Sequence, residues 1–378
     1  MSIGSTYYIV IIALSLLIHY PTYYLISFVF CGYFTSRSGI KIYNSKNLYL
    51  NMNHPEESPN NQLSNPTVRP VNPFDPRWDA QLLHRAMDWT HEYTIQIIEV
   101  LANRVYSQRQ EIAIQFKSMF GKDLISELIM QLDGYYNMRK IILGLMTPTC
   151  EFLAKEVHDA LTSPIDEKII IEIICTASNA EFNNIKMAYN NLFGNDLEKE
   201  LMEKKSGSFR RLLVSLFQGR RNENTFVDVA STQADAQNLL QAYELQSGTD
   251  DSTFNMILCS RSFCQLQQVF LEYRRLTGKD FEDVINSEEF VNIRLVVQTV
   301  RDKIAYFANQ LMFASRPCFG YDERPLLRII ATRWEMDMVE IKNAYMSMYG
   351  ISLADDIGDD FTLCEYKRSL KVLVRDRK

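Results

Sequence analysis

From Asp79 onward, apolar residues recur at three- and four-residue intervals, the spacing that lines one face of an α-helix. Ile112, Phe116, Met119 and Phe120 make one such face, and Leu124, Leu128 and Leu132 make another. Gly121 stands between them, where a helix C-cap needs a residue that tolerates a left-handed backbone. A further helix is predicted over about Met138–Leu145. The strict alternation that marks a half-buried strand is almost absent. The pattern predicts an all-α fold.

The pattern then repeats. "EIAIQFKSMFGKDLISELI", "NIKMAYNNLFGNDLEKELM", "LQQVFLEYRRLTGKDFEDVI" and "EIKNAYMSMYGISLADDI" share one plan. An aromatic residue stands five positions before a glycine: Phe116 and Gly121, Tyr189 and Gly194, Tyr273 and Gly278, Tyr345 and Gly350. An apolar residue follows three after each glycine: Leu124, Leu197, Phe281 and Leu353. The glycines lie 73, 84 and 72 residues apart, and the longer middle interval holds "GRRNENTFVDVAST", which reads as a linker. Units this long do not suit the two-helix repeats of common solenoids. The prediction is four modules of about five helices, over 78–147, 148–222, 223–307 and 308–378.

The N-terminal part differs. Tyr7–Phe34 carries no Asp, Glu, Lys or Arg, and its length would let it cross a bilayer. Residues 1–46 are thus an apolar segment and a possible membrane anchor. Arg37, Lys41 and Lys46 follow it, so a true span would leave the C-terminal bulk in the cytosol. Translation from Met52 would omit the segment, and both readings stay open. Residues 47–77, rich in Asn, Pro and Ser, read as a flexible linker.

Composition narrows the function. With 40 basic and 46 acidic residues the chain has a formal net charge of −6, so no broad basic field invites nucleic acid. Seven cysteines, none in CxxC spacing, fit reduced thiols and argue against a zinc site. The sequence contains no GxxxxGK[ST], HExxH or GxSxG, and its five histidines form no visible triad. No catalytic residue is expected, and the chain is read as a non-enzyme.

The repeat, with "DAQLLHRAM", "NRVYSQRQEIAIQFKSMFGKDL", "SGSFRRLLVSLFQ", "ADAQNLLQAYELQSGTDDSTF" and "CSRSFCQLQQVF", resembles the annexin family over about residues 73–378. The resemblance implies a curved disc of four helical repeats. It also implies calcium (Ca2+), bound where the first helix of a repeat meets the second, by loop carbonyls and a carboxylate about forty residues on. Calcium takes six to eight oxygens, so a site of this kind leaves positions for a lipid phosphoryl oxygen.

In repeat 3 the resemblance places Tyr243, Gln246 and Gly248 at the carbonyl positions and Glu288 at the carboxylate, with Glu289 as the fallback. From the residues alone, Gly248-Thr249-Asp250-Asp251 also reads as a plain helix stop and N-cap. Repeat 1 has Gln131 at the carboxylate position, with Asp133 two residues off, and repeat 2 has Lys204, which would repel an ion. Both sites are expected to be lost. Gly320 and Asp360 make a weak candidate in repeat 4, and Trp89 and Phe319 are loop-tip aromatics. Arg104, Arg261 and Arg333 recur after the second helix of their repeats, with Ala177 in repeat 2, and a structural role is expected for them.

The implied function is calcium-dependent binding to an anionic phospholipid membrane, in the cytoplasm and at the cytoplasmic face of membranes. The alternative is a calcium-independent, membrane-associated interaction scaffold on the same fold.

Overall fold

The computed structural model describes residues 65–88, 93–162, 164–218, 221–244, 252–315, 323–358 and 365–375. Among them the chain forms twenty α-helices, five to each repeat, and no strand. Repeat 1 holds α1 (Pro76–Asp88), α2 (Tyr93–Ala102), α3 (Tyr106–Phe120), α4 (Leu124–Gln131) and α5 (Tyr136–Met146). Repeat 2 holds α6 (Thr149–Ala160), α7 (Glu167–Thr176), α8 (Asn179–Phe193), α9 (Leu197–Lys204) and α10 (Gly207–Gln218). Repeat 3 holds α11 (Val229–Glu244), α12 (Ser252–Ser260), α13 (Phe263–Thr277), α14 (Phe281–Val284), a 3-10 turn at Glu288–Phe290, and α15 (Val291–Arg301). Repeat 4 holds α16 (Lys303–Ser315), α17 (Glu323–Arg333), α18 (Met338–Tyr349), α19 (Leu353–Asp356) and α20 (Glu365–Val374). The apolar segment proposed as an anchor lies outside the described residues, and no described helix is long and apolar enough to cross a membrane.

Every repeat turns the same corner with the same three-residue pattern, Gly-x-Asp or Gly-x-Ser. Gly121, Gly194, Gly278 and Gly350 have φ of 71°, 69°, 72° and 68°, and each donates its N–H to the carbonyl four residues back. Two residues later a short polar side chain caps the next helix: Asp123, Asp196, Asp280 and Ser352 accept from Ser126, Lys199, Glu282 and Asp355 backbone N–H groups. The left-handed glycine ends one helix and the polar cap starts the next. The sequence reading found the glycines but not this Gly-x-Asp/Ser cap.

Pairing of the repeats is set by packing. One apolar core joins repeats 1 and 4, with Phe116, Leu124, Ile141, Trp334 and Tyr345 among its buried members. A second joins repeats 2 and 3, with Ile170, Tyr189, Phe254, Val269 and Phe281. Polar groups cross between the halves. Arg328 on α17 donates to Glu172 on α7 at 2.8 Å, and Tyr306 donates to the same carboxylate at 3.0 Å. Glu156 takes Arg328 at 3.5 Å and Lys140 at 3.6 Å.

The last part of the expected linker is held in place. Thr67 donates its backbone N–H to Trp334 O at 2.9 Å, Val68 is buried, and Gln108 exchanges two hydrogen bonds with Val71. Residues 65–71 therefore strap repeat 1 to repeat 4.

Candidate functional site

The first helix of repeat 3, α11, ends on an acid. Glu244 is its last residue, and no basic side chain sits in its last turn. The last four carbonyls of a helix have no partner within it and carry the negative end of the helix dipole. The carbonyl of Tyr243 belongs to this group. A cation is favoured at such an end, but α11 has no basic side chain in its last turn, as is also true of α16 in repeat 4. The first helices of repeats 1 and 2 differ: Arg85 and His158 stand in their last turns.

Aromatic packing ties that helix end to the second half of the site. The half-buried Tyr243 ring lies 6.4 Å from the ring of Phe290, which meets Phe254 edge-on at 5.7 Å. Phe254 in turn lies 6.1 Å from Phe281, against which Tyr273 packs at 5.0 Å. Phe290 closes the 3-10 turn that Glu288 opens. The ladder of rings thus fixes the Glu288 turn beside the end of α11.

Glu288 is exposed, and its carboxylate makes no hydrogen bond or ion pair with the described residues. Two nearby acids are paired, whereas Asp283 and Glu244 are, like Glu288, exposed. Asp280 pairs with Arg301 at 2.6 Å, and Glu282 accepts from Gln298 at 2.7 Å. Burial opposes ionisation of Asp280, but the hydrogen bond and charge of Arg301 outweigh it and hold its carboxyl below the usual range. Gln246, Gly248 and the side chain of Glu289 lie outside the described residues, as do Gly320, Asp360, Trp89 and Phe319.

Backbone structure separates the four repeats at the carboxylate position, ten residues after the corner glycine. In repeats 1 and 2 the fourth helix runs eight residues and ends on that position, at Gln131 and Lys204. In repeats 3 and 4 it stops after four residues. Ile285-Asn286-Ser287 follows in repeat 3, where Asn and Ser are poorer helix formers than the Met, Gln, Glu and Lys that extend α4 and α9. Glu288 is thereby released from the helix into a turn.

In repeat 2 the Lys204 ammonium lies 2.7 Å from Glu200 and 3.5 Å from the Leu161 carbonyl, in the loop after α6. In repeat 1, Asp133 is exposed and sits 3.8 Å from Arg139. The recurring arginines brace their own repeats. Arg104 forks onto Asp79 at 2.6 and 2.9 Å, Arg261 onto Asp235 at 2.6 and 3.0 Å, and Arg333 onto Asp337. Repeat 2 has Ala177 at this position; from the inter-repeat linker Arg221 donates to the carbonyls of Arg261 and Leu258 in repeat 3, at 2.7 and 2.8 Å.

No group of three or more His, Cys, Asp or Glu side chains among the described residues is placed to hold a metal. A cation at repeat 3 would depend on main-chain oxygens and one carboxylate. Helix-end carbonyls beside an unpaired glutamate suit a hard, oxygen-seeking divalent cation such as calcium. Of the four residues expected to hold it, Tyr243 and Glu288 lie among the described residues, and both supply oxygen donors of that kind.

Comparison with known proteins agrees with this architecture. The annexin family model matches residues 78–145, 152–216, 234–290 and 306–372. Human annexin A7 is 39% identical over 319 residues, which is 83% of this chain and 64% of that protein. The chain thus spans less than two thirds of that relative. Among solved structures, chicken annexin V in complex with Zn2+ superposes with a TM-score of 0.76 at 34% identity, over 83% of this chain and 99% of that one. A calcium-bound annexin (Sm)1 gives 0.69 at 26% identity, over 82% of this chain and 93% of that one.

Proposed function

The chain belongs to the annexin family, and we propose that it binds anionic phospholipid membranes in a calcium-dependent manner through repeat 3. The main-chain carbonyls of Tyr243, Gln246 and Gly248 and the carboxylate of Glu288 would hold the ion. Bound calcium would supply a positive bridge to a lipid phosphoryl oxygen. The observation that carries the reading is the pairing of an unpartnered Glu288 with a helix end that lacks a cation, held together by Tyr243 and Phe290. The similarity to a calcium-bound annexin supports it.

One acidic side chain makes a weak site in the free protein, of the order of 10⁻⁴–10⁻³ M. Lipid tightens apparent calcium binding by linkage, because it prefers the ion-loaded form. The protein would reside in the cytoplasm and gather at the cytoplasmic face of membranes.

Co-sedimentation of the full chain with phosphatidylserine vesicles tests this. Calcium should increase pelleting, chelator should reverse it, and Glu288→Gln should raise the calcium required by about tenfold or more, the loss of one charged ligand. Repeats 1 and 2 offer no carboxylate at the equivalent position, which favours a second reading, a calcium-independent scaffold. Equal pelleting with and without calcium would establish that alternative and exclude the first.

A further inference from the structure

Repeat 2 carries a cation of its own. Lys204 occupies the position that Glu288 holds in repeat 3, ten residues after the corner glycine. Its ammonium reaches back 3.5 Å to the carbonyl of Leu161, in the loop joining α6 to α7. We propose that the Lys204 ammonium is a tethered substitute for a divalent cation, holding the start of the repeat 2 loop, at Leu161, against the end of α9 without metal. The comparison of positions rests on the reading of repeat 3 given above.

Three further observations support the assignment. The two carbonyls that end α6 are already in use: Ala160 O accepts from the backbone N–H of Asp166 at 2.9 Å, and Asp159 O accepts from the Thr162 hydroxyl at 2.6 Å. The next carbonyl, that of Leu161, is the one that faces the Lys204 ammonium. Lys204 is also positioned. Glu200, one turn back on α9, takes its ammonium at 2.7 Å. Glu200 is itself fixed by Tyr189 at 2.9 Å and Asn195 at 3.2 Å, and the Tyr189 hydroxyl lies 3.1 Å from His158 Nδ1. Hydrogen bonds from Lys204, Tyr189 and Asn195 overcome the burial of Glu200 and hold its carboxyl below the usual range, so it stays charged opposite the ammonium. Finally, the far side of the loop is pinned by a second lysine: Lys205 meets Glu167, the first residue of α7, at 2.6 Å.

A divalent ion has two charges and open coordination positions for a lipid oxygen, whereas an ammonium has one charge and three donors. The substitution therefore keeps the shape of the loop and gives up the metal-dependent switch. Repeat 2 becomes a constant part of the molecule, and the calcium response is left to the other half of its core, repeat 3.

Hydrogen exchange of the full chain, followed in peptides covering residues 161–167, reads the effect directly. All variants are made on Glu288→Gln, so that the outcome does not depend on the repeat 3 site. With Lys204 present, protection should be equal in chelator and in millimolar calcium. Lys204→Met should speed exchange by about tenfold in both conditions, the loss expected of one charged hydrogen bond. Lys204→Arg should retain protection, and its folding by circular dichroism controls for damage. Lys204→Glu should lose protection in chelator and regain it in calcium. Unchanged exchange in Lys204→Met would overturn the proposal, as would calcium protection of the loop while Lys204 is present, or no calcium response in Lys204→Glu. Failure of the repeat 3 reading would show separately, as vesicle pelleting that is indifferent to Glu288.

Discussion

The rings of Tyr243 and Phe290 lie 6.4 Å apart, with their planes inclined by 45°. This contact joins the end of α11 to the turn that presents Glu288. Phe290 is only 7% exposed, so it belongs to the core as well as to the site. Phe290→Leu should cost about 1 kcal/mol of stability, the usual figure for an apolar swap of similar size. It should raise the calcium needed for vesicle binding severalfold, because the Glu288 turn loses its anchor. Glu288→Gln should raise the calcium requirement further while leaving stability within about 0.5 kcal/mol, since an exposed, unpaired side chain adds little. Thermal unfolding and vesicle pelleting of both variants check the contrast.

Arg328 and Glu172 hold the two cores together, with side chains only 2% and 3% exposed. Glu172→Gln should destabilise by about 3–5 kcal/mol, because Arg328 remains buried without its nearest charge partner. Replacing both, as Glu172→Met with Arg328→Met, should recover at least half of that loss. Urea unfolding of the single and double variants measures it.

Gly144 lies inside α5, where helix propensity alone favours alanine by about 1 kcal/mol. A Cβ there would stand 2.7 Å from the Cβ of Ala331 on α17. Gly144→Ala should therefore destabilise, by about 1–3 kcal/mol, through overpacking between repeats 1 and 4. A rise in melting temperature would contradict the close approach of these helices.

Asp280 caps α14 and pairs with Arg301, and its folded pKa lies below the ordinary value of 3.8. A depressed carboxylate stabilises the fold above its unfolded pKa, and the gain is lost as pH falls through the folded one. Asp280→Asn keeps an N-cap but loses the charge. It should cost about 1–2 kcal/mol near neutral pH. The gap from the unaltered protein should narrow as pH drops below about 4. Unfolding curves at several pH values should show this convergence.

Much of the architecture was legible locally. The four glycines after an apolar helical face announced four C-caps, and the spacing of those glycines announced four repeats. The Gly-x-Asp/Ser corner is equally present in the sequence, but an Asp or Ser in that place caps a helix only where the backbone turns extended, as it does at Asp123, Asp196, Asp280 and Ser352. The role of Arg104, Arg261 and Arg333 was read as structural, but their partners Asp79, Asp235 and Asp337 lie at different separations, 25, 26 and 4 residues away. No single spacing could have named them.

The sequence by itself determined the helices, their stops and the residue types at each loop, because these depend on backbone sterics and side chains a few residues apart. Only the tertiary structure decided that repeat 1 packs with repeat 4 and repeat 2 with repeat 3, that Gly144 must stay small, and that Lys204 turns back onto Leu161. Those outcomes depend on which apolar faces meet across a hundred or more residues, or on where a flexible side chain finds an unpaired carbonyl. Local pattern is silent on both, since many pairings bury similar apolar area and only close packing selects one.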